Sequence, residues 1–426
     1  MANILFVLGS YFPKPSANGI CVSKVAKQLI EDGNTVSVLS NQLENKNDEI
    51  LDGVNVYRVK SSFSDRIEKW CNENKNSSYL SLIKYINKII CKIKNLIFLP
   101  IWPFNSIGYC YRCYIKAKKL QKNNKYDFVI SVYNPIDSIV CGALLKKKNP
   151  NIKWYIYFLD SLTFGVYPKY FSEIWAEKKG AQWEKWYMKY VDKIIIMKSH
   201  EKKYNNNRYD KYRKKIEVMD IPLLTNLNKS SNIINRDDQI NFSYIGSIMK
   251  NLKNPEYLLK VFNAIENKNY NLNFYGTNDC QYLFEKFYKE NRSCMIKQFG
   301  QVSHDKAIEA MYKSDILINI GSLVDQQIPC KIFEYMSTGK PIITFYKSKN
   351  EPSLVYLKKY PLALLINEDN EKINDNAKKI IEFTNRVLNS KVMFKDIEKI
   401  FSNNTPRAFS SLFKDFKGEI GNEKLF

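Results

Sequence analysis

The segment from Gln327 to Thr344, QIPCKIFEYMSTGKPIIT, sets one carboxylate, Glu334, among Ile332, Phe333 and Met336. A carboxylate in apolar company is costly unless it is paired or hydrogen-bonded. Placed so, it can accept two hydrogen bonds from a vicinal diol such as that of a ribose. Pro329 suits the first turn of a helix and Gly339 its end. Lys331 stands at the start, where free backbone N–H groups and the helix dipole favour a phosphate. The alternative for Glu334 is a solvated residue on an amphipathic helix, the usual fate of a lone glutamate.

Two further groups stand where chemistry is done in open sheets. Asp160 ends the apolar run WYIYFL, and strand ends are the favoured ligand positions of such sheets. It can meet an acceptor, orient a sugar, or simply cap the loop that follows. The loop Gly9–Gly19, with Pro13, Pro15 and Asn18-Gly19, exceeds the usual 2–6 residues between a strand and a helix. Asn18 tolerates a left-handed backbone better than other non-glycine residues, so a turn is expected there.

These residues need a scaffold, and the apolar periodicity supplies it. Ile4–Leu8, Val36–Leu39, Asp127–Val132, Trp154–Leu159, Lys193–Met197 and Ile216–Met219 read as strands. Helical spacing falls between them, as in Val22, Val25, Ala26, Leu29 and Ile30. A second alternating series begins at Phe242 and runs to Pro341–Phe345. The polar stretch Asn228–Gln239 is read as the linker between two lobes. The expectation is an α/β chain of two Rossmann-like, doubly wound lobes with a cleft between them. Its limits are an acceptor-side lobe at 1–226, a second lobe at 240–400, and a helix in 401–426 packing back on the first lobe.

Composition narrows the class. With 426 residues, 45% hydrophobic and 14% aromatic, the chain is no disordered segment. Nine scattered cysteines and two histidines, His200 and His304, fit a reducing compartment and argue against a structural zinc site. The opening MANILFVLGSYFP lacks a basic region and reads as a strand, not a signal peptide. A net charge of +23 either faces an anionic partner or reflects a lysine-rich and asparagine-rich proteome, and charge alone does not choose among nucleic acid, lipid and phosphorylated substrates.

Between the first strands lies an unusual insertion, about 79–122. Leu82, Ile86, Ile89, Ile93 and Leu96 share one helical face, and Lys84, Lys88 and Lys92 another. Ile97, Phe98, Leu99, Ile101 and Trp102 follow, and Lys116, Lys118, Lys119 and Lys122 extend the basic surface. The pattern fits a helix lying in a membrane surface through residues 79–104. It also fits a helix packed on its own sheet with solvated lysines.

KIFEYMSTGKPII resembles the donor-site helix of family 4 retaining glycosyltransferases of GT-B fold. Three further stretches agree in order: FVLGSYFPKPSANGICVSKVAKQLIEDGNTVSVLS, YVDKIIIMKSHEK and FSYIGSIMKNLKNPEYLLKVF. The resemblance implies transfer of a hexose-type sugar from a nucleotide diphosphate sugar, UDP preferred, with retention and without metal or other cofactor. It points to bacterial cell-surface polysaccharide or capsule enzymes, with a glycan or polyprenyl-linked acceptor. Their setting is cytoplasmic, peripheral at the inner face of the plasma membrane, with no nucleic acid as partner.

Residue by residue, the resemblance makes Glu334 the ribose ligand and Lys331 a phosphate neighbour. Gln326, eight residues before Glu334, stands where the family's E-x7-E pattern has its first Glu, on the sugar side. Past Gly246, where relatives show Arg and then Lys, this chain has Lys250 and Lys253. Lys253 is the first choice to neutralise the departing diphosphate. Gly9, Asn18 and Gly19 would cover the pyrophosphate, and Phe299, Gly300 and Gln301 would seat the base. Asp160, Lys253 and Gln326 are thus the catalytic candidates. Rival readings are a nucleotide-sugar 2-epimerase on the same fold and a basic nucleic-acid-binding protein.

Overall fold

A computed structural model describes residues 1–413 except 14, 43–46, 75–78, 105, 161, 163–167, 169–170, 228–238, 266–268, 291–294 and 323–329. The chain forms two compact units: Met1–Pro222 with the chain from Pro406 onward, and Leu223–Thr405. The limits therefore differ from the expected 226 and 240–400. Leu223 and Leu224 are buried, and the Leu224 N–H donates to the Asn404 carbonyl (2.9 Å), which ties them to the second unit. The expected linker lies, apart from Gln239, outside the described residues.

The first unit carries an eight-stranded sheet. Its strands are β1 (Asn3–Val7), β2 (Thr35–Asn41), β3 (Glu49–Leu51), β4 (Val54–Val59), β5 (Phe128–Tyr133), β6 (Lys153–Phe158), β7 (Lys193–Met197) and β8 (Ile216–Met219). The order is β3-β4-β2-β1-β5-β6-β7-β8, with only β3 antiparallel. Asp52 and Gly53, at φ 48° and 81°, turn β3 into β4 as a two-residue hairpin, a pairing the apolar periodicity did not announce. The central strands are buried on both faces, as parallel sheets require.

Helices α1 (Ala17–Glu31), α2 (Phe63–Glu73), α3 (Leu80–Phe98), α4 (Ile107–Asn124), α5 (Asp137–Lys148) and α6 (Glu173–Tyr187) surround this sheet. Glu184 of α6 is buried and meets Arg208 (2.6 Å), Lys203 (3.3 Å) and the Tyr209 hydroxyl (2.7 Å), which anchors α6 to the following segment. The described part of the carboxyl-terminal segment also belongs to this unit. Phe409 lies on Tyr157 and Phe413 on Phe128, while the Ser410 hydroxyl donates to Asp32 (2.6 Å).

Helix α3 is turned against its own hydrophobicity. Asn87 is buried and donates to the Ser64 carbonyl (3.1 Å), and Lys94 donates to the Ser64 hydroxyl (3.3 Å). The apolar stripe Leu82, Ile86, Ile89, Ile93 and Leu96 faces outward at 39–70% exposure. Packing of that stripe on the unit's own sheet is thereby excluded. Among the described residues no helix is long and apolar enough to cross a membrane.

The second unit is a six-stranded, wholly parallel sheet. It comprises β9 (Ile240–Ile245), β10 (Tyr270–Tyr275), β11 (Met295–Gly300), β12 (Ile316–Ile320), β13 (Ile342–Tyr346) and β14 (Ala363–Asn367), in the order β11-β10-β9-β12-β13-β14. Phe242, Leu272, Ile318, Ile343 and Phe345 fill its core. Strand order reverses between β1 and β5 in one unit and between β9 and β12 in the other. Crevices at the carboxyl ends of such neighbours are where open sheets bind ligands.

Candidate functional site

In the second unit the loops after β9, β10 and β11 stack through their backbones. The Gly246 N–H donates to the Tyr275 carbonyl and the Gly276 N–H to the Gly300 carbonyl, both at 2.8 Å. Gly276 has φ +145° and lies against the Gly246 carbonyl so closely that a Cβ would overlap it. Gly246 is thus part of a three-glycine shelf of close backbone contacts; the sequence reading named Gly246 and Gly300 without that partnership.

Helix Lys331–Thr338 is fixed to this shelf by Tyr335. Its hydroxyl accepts from the Ile245 N–H (2.8 Å) and donates to the Ile245 carbonyl (3.3 Å), at the carboxyl end of β9. The neighbouring Glu334 is 2% exposed, and its Oε2 receives the Lys331 ammonium at 2.7 Å. The solvated alternative for Glu334 is excluded by this burial. Lys331 keeps a third of its side chain in solvent, so the pair opens to water on the lysine side.

Lys253 closes a tight turn. Its N–H donates to the Met249 carbonyl (2.8 Å) and its carbonyl accepts from the Met249 N–H (3.2 Å). Burial holds its ammonium below the usual lysine range, while Cys330 and Glu351 pull the other way. Cys330 immediately precedes Lys331, so the start of the Glu334 helix lies within electrostatic reach of Lys253. Glu351 is buried, accepts from the Ser353 hydroxyl (2.5 Å) and lies over Gly321 at the end of β12. No sequence signal pointed to Glu351.

Other candidates are placed differently. Lys250 is exposed, its N–H donates to Asp279 (2.8 Å) and its ammonium lies over the Tyr282 ring, on the β10 side. Gln301 is exposed after Gly300, beside Phe299, whose ring stacks on Tyr275 at 4.4 Å. Gln326 lies outside the described residues.

In the first unit the expected turn at Asn18-Gly19 is corrected. Both residues sit in the first turn of α1, where the Ser16 hydroxyl accepts from the Gly19 N–H (3.3 Å). Asn18 has no left-handed backbone; its side chain donates to the Tyr133 carbonyl (2.9 Å) and to Asp160 Oδ2 (3.1 Å). Gly19 is required for closeness, since a Cβ would overlap the Ser10 carbonyl. Asn18 thus links the ends of β5 and β6, and it leaves Asp160 exposed with one oxygen engaged.

Residues 239–385, the shelf and both lysines included, match the family model of the group 1 glycosyl transferases. Over this stretch the second unit is similar to the group 1 glycosyl transferases. No curated protein matches the chain. Among solved structures, Anabaena HepE in complex with UDP and glucose has a TM-score of 0.56 at 13% identity, over 98% of this chain and 100% of that one. A mutant of S. aureus TarM, in complex with Fondaparinux, alpha-GlcNAc-glycerol and UDP, reaches 0.58 at 13%, over 96% and 98%. The lipopolysaccharide outer core galactosyltransferase WaaB reaches 0.54 at 14%, over 97% and 98%. The chain therefore shares the two-unit GT-B fold of these structures.

Proposed function

We propose that the protein moves a hexose-type sugar from a nucleotide diphosphate sugar, UDP preferred, to a glycan or polyprenyl-linked acceptor. The observation that carries this reading is the buried Glu334, paired with a partly exposed Lys331, at the start of a helix fixed to the carboxyl end of β9. The free Glu334 oxygen accepts from the ribose hydroxyls, and the helix start with Lys331 receives the pyrophosphate. Lys253 neutralises the charge that grows on the leaving phosphate as the sugar–phosphate bond breaks, where a metal-dependent enzyme would use a cation. Asp160, held by Asn18, orients the acceptor.

Retention is part of this reading: attack occurs on the face the phosphate leaves, and NMR of the product anomer tests it. The solved complexes of HepE and TarM with UDP support the nucleotide. The site of work is the inner face of the plasma membrane, met through the outward stripe of α3 and flanked by Lys84, Lys88 and Lys92. Calorimetric titration of UDP into the wild type and Glu334→Ala tests the core of the proposal. Binding that disappears in the variant is expected; equal binding in both contradicts it.

A further inference from the structure

The first unit holds a groove of about 460 Å³ that the donor chemistry does not use. Pro100, Ile101, Phe104, Val140, Trp183 and Trp186 line it, with Gln182 as the one polar neighbour among the described lining residues. A sugar site needs several convergent polar groups, and this one lacks them. The Trp183 indole N–H is already spent on the Trp102 carbonyl (3.0 Å), so the ring offers apolar faces. Phe104 stacks on Trp183, and Trp186 meets it edge-on at 5.7 Å. For scale, an apolar cavity of about 150 Å³ takes up benzene.

Position and charge indicate the occupant. The wall at Pro100 and Ile101 continues directly from α3, whose outward face is apolar. Four of the six tryptophans, Trp102, Trp175, Trp183 and Trp186, gather around this wall, and such rings favour the boundary of water and lipid. Cations stand near it. Lys147, two turns beyond Val140 on α5, holds its ammonium 4.4 Å from the Tyr190 ring centroid and 5.7 Å from that of Trp186, on the far side of the tryptophan. Lys179, one turn before Trp183 on α6, donates to the Pro100 carbonyl at 2.8 Å.

We propose that this groove takes one hydrocarbon chain of an anionic lipid drawn from a bilayer, its phosphate against Lys179. The inference rests on the reading above that the enzyme works at a membrane surface, and it adds a single-lipid site to that contact.

The test is tryptophan fluorescence of the full chain titrated with farnesyl phosphate below its micelle concentration, with farnesol and inorganic phosphate in parallel arms. A saturable change is expected with farnesyl phosphate, weaker with farnesol and absent with phosphate alone. Val140→Phe, which fills the groove, and Ile101→Asp, at a half-exposed wall position that leaves folding intact, should each weaken binding at least tenfold. Sedimentation with phosphatidylglycerol vesicles is measured beside it. Vesicle binding with no farnesyl phosphate response, or a response unchanged in both variants, overturns the groove and leaves the membrane reading standing. Groove binding without vesicle sedimentation overturns the bilayer as the source of the lipid, and with it the membrane reading.

Discussion

Lys331 Nζ lies 2.7 Å from Glu334 Oε2, three residues along one helix, with the carboxylate buried and the ammonium reaching solvent. The asymmetry decides how each half behaves when its partner is removed. Lys331→Met leaves a buried carboxylate without its cation and should cost about 1–3 kcal/mol. Glu334→Gln leaves a lysine that water can solvate and should cost less. Chemical denaturation of the two variants checks the order, and a smaller loss for Lys331→Met would contradict it.

For the nucleotide, Glu334→Gln keeps shape but gives up a charged acceptor. UDP affinity should fall about 10–100-fold, since hydrogen bonds to charged groups are worth about 1.5–3 kcal/mol. Unchanged affinity by calorimetry would remove Glu334 from the ribose contact.

Lys253 is assigned to the transition state more than to the ground state. Lys253→Met should lower kcat about 10²–10³-fold while UDP affinity falls far less. Burial lowers this ammonium's pKa, so transfer should decline with rising pH before an ordinary lysine would lose its proton. Lys253→Arg stays charged and should extend the alkaline limb. A pH profile identical in both enzymes would count against the assignment.

His200 is buried in the first unit, and burial, helped by the charge of Lys203, lowers its pKa from 6.5 to about 4. Between these values the unfolded chain binds a proton that the folded chain does not. Stability is therefore lost as pH falls from about 6.5 to 4, with a slope of up to about 1.4 kcal/mol per pH unit. In His200→Asn that contribution to the slope should vanish. Denaturation curves across this window measure it.

On α3, Ile89→Asp with Ile93→Asp alters two exposed side chains, so melting temperature and UDP binding should hold. Sedimentation with phosphatidylglycerol vesicles should be lost. Vesicle binding equal to the wild type's would show that this face is not the contact.

Much of this architecture was legible because parallel strands announce themselves as short apolar runs between helical periods. Glu334 stood out because a carboxylate among Ile332, Phe333 and Met336 needs a partner, and Lys331 is that partner. What remained hidden depended on tertiary contact. The spacing on α3 identified an apolar stripe, but only packing against α2 shows Asn87 and Lys94 turning inward and the stripe outward. Asn18 was read for its backbone, whereas its side chain bridges Tyr133 and Asp160, 115 and 142 residues away. Lys250 and Lys253 differ by three residues in sequence, and the turn closed by Met249 separates them. The role of Gly276 depends on the Gly246 carbonyl beneath it, a contact between two loops that spacing does not encode.

The most direct measurement is a thermal-shift panel of nucleotide sugars on the full chain and its Glu334→Ala variant, since a specific ligand stabilises as ln(1 + [L]/Kd). One diphosphate sugar, a uridine compound first, should raise the wild-type transition more than its nucleoside monophosphate does and leave the variant unmoved. No response to any nucleotide sugar, or an equal response in the variant, would contradict the account.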